Sequence, residues 1–152
     1  MPKWLAGARK STTYTVGKLV ISDPWARGES EAAPQCGGFF VVANKGEMAD
    51  RLVSASSKVA ERVEIHAVKV VGADIKMRRL EDGLRIPADT ALTLKPRGYH
   101  LLMLGLTVPL AKGAALPVTL VFDKAGSVDV ALVIRANGLV GNEILVEEAQ
   151  RG

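Results

Sequence analysis

Short apolar runs separated by turn-forming residues recur along most of this chain. Residues 18–25 (KLVISDPW) read as a first strand closed by Pro24, and residues 38–44 (GFFVVAN) as a buried strand. The turn Lys45-Gly46-Glu47 follows, and residues 51–57 are expected to return as the hairpin partner of that strand. From Glu61 the period is close to two. Val63, Ile65 and Ala67 fall on one face, and Glu64, His66 and Val68 on the other. Gly72-Ala73 marks a turn from which residues 74–79 return as a strand, and the short segment 84–86 ends at Pro87. Residues 91–94 and 99–106 flank the turn Lys95-Pro96-Arg97-Gly98. Residues 116–122 and 127–134 flank a hairpin loop, 123–126, that ends in glycine. About nine or ten short strands with turn chemistry between them predict an all-β, antiparallel sandwich or barrel of Greek-key type.

Length and composition sharpen this picture. The chain has 152 residues, enough for one domain with a sizeable core. Residues 1–17 are expected to form a flexible N-terminal arm, 18–134 the β-domain, and 135–152 a C-terminal tail. Within that tail, Glu143-Ile-Leu-Val-Glu-Glu reads either as a short helix or as unstructured. The net charge of +4 is mild and its cations are scattered. With aromatics at 5% there is little to stack on bases, so no nucleic-acid partner is expected. A single cysteine, Cys36, excludes an internal disulfide framework and any multi-cysteine zinc or iron–sulfur site. No apolar run reaches the roughly 18 residues of a membrane span. The opening MPKWLAGARKSTTYTVGK carries basic residues without the apolar stretch of a secretory signal. A monomer is expected.

The candidate chemistry lies between His66 and Met103, which hold both histidines and two of the four methionines. Imidazole and thioether together suit a soft metal, and copper fits these residue types best. Hard cations want clustered carboxylates, and zinc would want more Cys or His. A bland reading stands beside this one: strand methionines usually pack cores, and a strand histidine is often a hydrogen-bonded structural residue. Cys36 reads as a small semi-buried residue or, alternatively, as a thiolate ligand. Tyr99 and Trp25 read as core or rim aromatics. No nucleophile with a positioned base, phosphate loop or dinucleotide motif is present, so an enzyme is not expected.

Several stretches in order resemble the periplasmic copper chaperone family of the PCu(A)C type. They are ISDPWAR (21–27), GGFFVVANKGEMADRLVSASS (37–57), ERVEIH (61–66), IKMRRLEDGLRIPA (75–88), LKPRGYHLLMLGL (94–106) and PVTLVFDKAGSVDV (117–130). The resemblance implies a cupredoxin-like, immunoglobulin-like β-sandwich that carries Cu(I), ahead of Cu(II), at one end. It implies delivery to a copper-accepting protein, such as a cytochrome oxidase copper centre or another copper chaperone, and a periplasmic location. In that family a His is followed after ten residues by a Met, and a later strand supplies His-x-Met. Carried over, these positions are His66, Met77 and His100. The fourth is Leu102, with Met103 one residue too late, and alternation sends Met103 to the opposite face from His100. Val68 and Val70 also stand where the family often has further methionines. The expected site is therefore three-membered: His66, Met77 and His100. The alternative function is a β-sandwich interaction module that has lost its metal.

Overall fold

A computed structural model describes residues 12–28 and 35–136 of the chain. Eleven strands are formed among the described residues: β1 (Thr13–Val16), β2 (Leu19–Gly28), β3 (Gln35–Asn44), β4 (Asp50–Ser56), β5 (Arg62–Val71), β6 (Asp74–Arg79), β7 (Leu84–Ile86), β8 (Thr90–Thr93), β9 (His100–Leu104), β10 (Ala115–Phe122) and β11 (Gly126–Ala136). The all-β class holds. Hydrogen bonding follows the path β2-β11-β10-β4-β5-β9-β3, and β3 pairs back to β2, so the path closes on itself. β1, β6, β7 and β8 are attached to that ring through β2, β5, β4 and β3.

The core fills the inside of the ring because alternate residues of each strand are apolar. Along β10, Leu116, Val118, Leu120 and Phe122 are buried while the residues between them are more exposed. Facing them are Ile21, Phe40, Val42, Leu101, Met103, Leu132 and Ile134, all at 2% exposure or less. Each such side chain contributes roughly 1.5–3 kcal/mol on full burial.

β2 does not end at Pro24. Ser22 pairs with Val41 and Trp25 with Phe39, so Asp23 and Pro24 together oppose the single residue Phe40. This is a β-bulge, with Asp23 at a φ of 51°. Proline is tolerated there because a bulge asks for no ladder N–H. The extra residue also shifts the alternation by one. Ile21 and Ala26 both face the core, and Trp25 is turned to the outer surface beside Phe39.

β4 is not the hairpin partner of β3. It pairs with β10, β5 and β7, while β3 lies between β2 and the pair β8 and β9. Asn44 explains the crossing. Its side-chain amide donates to the carbonyls of Met48 (3.0 Å) and Ile86 (3.2 Å), and its oxygen accepts from Gly46 N–H (2.9 Å). These bonds carry the chain across to the opposite side instead of folding it back. Asp50 then accepts from the backbone of Lys124 (2.8 Å) and Ala125 (3.0 Å), tying the start of β4 to the β10–β11 turn.

At the ends, Thr13–Val16 belongs to β1, paired with β2, although the sequence places it in the arm. Tyr14 and Val16 alternate inward and pack on the core. Residues 1–11 of the expected arm, residues 29–34 of the first loop, and the tail segment 143–148 lie outside the described residues.

Candidate metal centre

Five adjacent strands place one side chain each in a row across the outer face of the sheet. Trp25 of β2 pairs with Phe39 of β3, His100 of β9 pairs with His66 of β5, and His66 pairs with Arg79 of β6. Gly38 pairs with Leu101, which brings Phe39 next to His100. Ring centroids are 4.5 Å apart for Trp25–Phe39, 6.3 Å for Phe39–His100 and 5.7 Å for His66–His100. The two imidazoles lie nearly parallel, at 19°. Arg27 sits over Phe39 at 5.9 Å, and Arg135 over Trp25 at 5.0 Å.

The sequence builds this row by alternation. Glu64, His66 and Val68 share one face of β5, while Ile65 packs inward opposite Leu101. Phe39 faces outward yet is 3% exposed, because its ring folds over Gly37: a β-carbon there would stand 2.8 Å from Phe39 Cζ. Glycine at position 37 is what lets the ring lie beside His100.

Both histidines are buried, at 8% and 7% exposure, and each has one ring nitrogen committed. His100 Nδ1–H donates to the Gly98 carbonyl (2.9 Å), which fixes the tautomer and leaves Nε2 with a lone pair. His66 Nε2 lies 2.9 Å from Glu64 Oε1. Glu64 is held below the usual carboxylate range, first by its bond to His66, then by its bond to Arg62, with Arg79 adding a favourable charge. An ionised carboxylate only accepts, so Nε2 carries the hydrogen, and in the neutral ring Nδ1 is the nitrogen with the free lone pair. That Nδ1 is buried and has no hydrogen-bond partner among the described residues. A buried ring nitrogen left unpaired costs about 1–3 kcal/mol. Burial is the main reason the His100 pKa is lowered from 6.5, with charges on His66 and Arg27 adding to it against the Gly98 carbonyl. His100 is neutral near pH 7, the form that can ligate a metal.

Met77 stands opposite Val68, hence on the same face as His66 and one rung farther out, about 7 Å along the strand. It is half exposed. Leu102 lies on the other side of the imidazole row, between Glu64 and Gly37. Met103 is fully buried in the core, opposite Val63 and Cys36. Cys36 is also a core residue, on the face away from the imidazoles, so the thiolate-ligand reading is not supported. Among the described residues, no group of three or more His, Cys, Asp or Glu side chains is placed to hold a metal.

Glu64, Gly98 and Phe39 were not singled out from sequence. Glu64 had a visible signal, standing two residues before His66 on the same strand face. The Gly98 carbonyl and the seat of Phe39 depend on turn geometry and on the β2 bulge, which no local pattern announces.

Residues 19–134 match the LpqE-like family, described as "Putative lipoprotein LpqE-like". A relative from Leifsonia xyli subsp. xyli (strain CTCB07), "Putative lipoprotein Lxx21020", is 29% identical over 129 residues, covering 82% of this chain and 76% of its own. Among solved structures, the copper-bound PCuAC domain from PmoF2 superposes with a TM-score of 0.71 at 29% identity, covering 82% of this chain and 98% of that one. The apo PCuAC domain from PmoF1 gives 0.72 at 29% identity, with 82% and 99% covered. Apo-DR1885 from Deinococcus radiodurans, at 21% identity and 0.61, shares the fold over 83% of this chain and 84% of its own.

Proposed function

The chain belongs to the LpqE-like family, a family of PCuAC type, and we propose from that premise that it binds copper through His66, His100 and Met77 and carries it to another protein. The observation that carries this reading is the state of the two imidazoles. Each has one nitrogen tied to an oxygen acceptor, and Nδ1 of His66 is buried without a partner among the described residues. Metal-ligating histidines are commonly held this way, with the second nitrogen donating to a carboxylate or backbone carbonyl.

His66 Nδ1 and His100 Nε2 would supply two nitrogen donors. Met77, exposed on the next rung, would reach inward with its flexible thioether. Cu(I) accepts such a three-donor set. The two imidazoles also narrow its advantage over Cu(II), since imidazole is the harder donor. An exposed third ligand suits a carrier, because an acceptor's donor can replace Met77 while the imidazoles still hold the ion. The copper-bound PmoF2 domain supports the cargo. The acceptor we propose is a copper protein such as a cytochrome oxidase centre. The lipoprotein names of the family and of the Leifsonia relative support an extracytoplasmic setting. The role we propose is that of a binding protein, in keeping with the copper-bound PCuAC domain it resembles.

A second reading, an interaction module without metal, draws on Leu102, an apolar residue where the family pattern has a thioether. Titration of Cu(I) against a competing chelator separates the two. One equivalent retained by the wild type and lost in His66→Ala/His100→Ala supports the carrier; equal, negligible retention by both leaves the module.

A further inference from the structure

The β5–β6 hairpin runs past the sheet that carries it. β4 leaves β5 at Val63 and β9 leaves it at His66, so among the described residues 67–71 and 74–78 pair only with each other. Gly72, at a φ of 63°, opens the two-residue turn at its tip. Of the seven large apolar side chains exposed among the described residues, four are on this hairpin: Val70 (67%), Val71 (50%), Ile75 (54%) and Met77 (54%).

Their order along the ribbon is informative. Val70 and Ile75 are opposite each other on one face, and Val71 projects from the other, so the tip is apolar on both faces. Two residues back, Lys69 stands directly opposite Lys76, with Arg78 on the next rung of that face. Like charges in direct register repel, and among the described residues neither lysine nor Arg78 has an ion pair. The tip's one acid, Asp74, lies opposite Val71.

We propose that this hairpin docks tip-first on an anionic lipid bilayer. Val70, Val71 and Ile75 enter the boundary between headgroups and acyl chains, and Lys69, Lys76 and Arg78 meet the lipid phosphates. The dimensions agree: two residues of strand put the lysine collar about 7 Å above the tip, within the roughly 5–10 Å that interfacial segments insert. Asp74 shares the rung of Val71, so its carboxylate opposes deeper insertion and holds the tip at the boundary, where the three cations outweigh it. A protein partner is the poorer fit. The apolar tip is about 10 Å long and about 10 Å wide, far short of the roughly 800 Å² per side of a stable complex. A second copy would set one lysine pair against another. The proposal does not depend on copper and is tested on the apo protein.

The assay is flotation of the whole chain with unilamellar vesicles of phosphatidylcholine containing phosphatidylglycerol, against vesicles of phosphatidylcholine alone. The wild type is expected to float with the anionic vesicles, less so at high salt, and to stay in solution with the neutral ones. Lys69→Gln/Lys76→Gln should lower partitioning about thirty-fold, at roughly one basic-residue increment per lysine. Val70→Ser/Ile75→Ser should lower it about ten-fold or more. All four positions are exposed, and an unchanged melting temperature for each variant confirms that folding is intact. Absence of flotation with anionic vesicles overturns the proposal, leaving the patch to a protein partner. Flotation unaffected by both variant pairs overturns it as well, since binding would then lie elsewhere on the chain.

Discussion

Gly37→Ala is the most revealing single substitution, because it tests whether the aromatic row supports the imidazoles. A β-carbon at position 37 would stand 2.8 Å from Phe39 Cζ, 3.4 Å from Cε2 and 3.6 Å from Cε1. Ordinary contact begins near 3.4 Å, so the ring must retreat by about 0.6 Å at its tip. It has no free direction, being buried with Trp25 at 4.5 Å, Arg27 at 5.9 Å and His100 at 6.3 Å. Overpacking of this kind costs about 1–3 kcal/mol, a loss of roughly 3–10 °C in melting temperature for a domain of this size. Displacing Phe39 also disturbs the seat of His100, so copper affinity should fall with stability. Phe39→Leu removes the obstructing ring edge, and in that background Gly37→Ala should cost only a few tenths of a kcal/mol. Calorimetry of the four proteins of this cycle measures the coupling. Additive losses, or a Gly37→Ala variant as stable as the wild type, would refute the idea that glycine seats the ring.

Other outcomes follow from the same geometry. Leu102→Met adds a thioether on the flank of the imidazoles opposite Met77 and should raise Cu(I) retention against a chelator, with a smaller gain for Cu(II). Met77→Leu should weaken Cu(I) more than Cu(II), because it removes the soft donor and leaves both imidazoles. Glu64→Gln keeps an acceptor near His66 but removes the charge that fixes its tautomer, and copper affinity should drop about 10–100-fold with little change in fold. The apo protein should lose stability on acidification in two adjoining windows. The lowered His100 pKa means that below about 6.5 the unfolded chain takes up a proton the folded one refuses, so stability falls as pH drops toward the folded value. The lowered Glu64 pKa contributes stability above 4.5 that is lost as pH falls through its folded value. Denaturant titrations across this range check the sign; greater stability at pH 5 than at pH 7 would contradict it.

Much of this molecule was legible from residue order alone. Alternation identified the strands and put His66 and Glu64 on one face, and the parity argument that sent Met103 inward agrees with its complete burial. Two misreadings share one physical origin. Pro24 looked like the end of a strand, and residues 51–57 like the return of a hairpin, because both inferences used local signals only. Whether a proline ends a strand depends on whether its position owes the neighbour an N–H, and the bulge opposite Phe40 removes that obligation. Whether a turn folds back or crosses over depends on partners distant in sequence, here the Ile86 carbonyl that Asn44 binds 42 residues away. The committed nitrogens of the two histidines are of the same kind, since they rest on a turn carbonyl and on a carboxylate held by two arginines.

The nitrogen assignments give the most direct test of copper binding. The chain has only two histidines, so long-range proton–nitrogen NMR correlation of its imidazoles yields two resolvable ring systems. In the neutral rings of the apo protein, His66 should be the Nε2–H tautomer and His100 the Nδ1–H tautomer. On adding one equivalent of Cu(I), the resonances of His66 Nδ1 and His100 Nε2 should shift together while the two protonated nitrogens keep their hydrogens. Unchanged imidazole spectra, or copper on the nitrogens that face Glu64 and Gly98, would contradict the site.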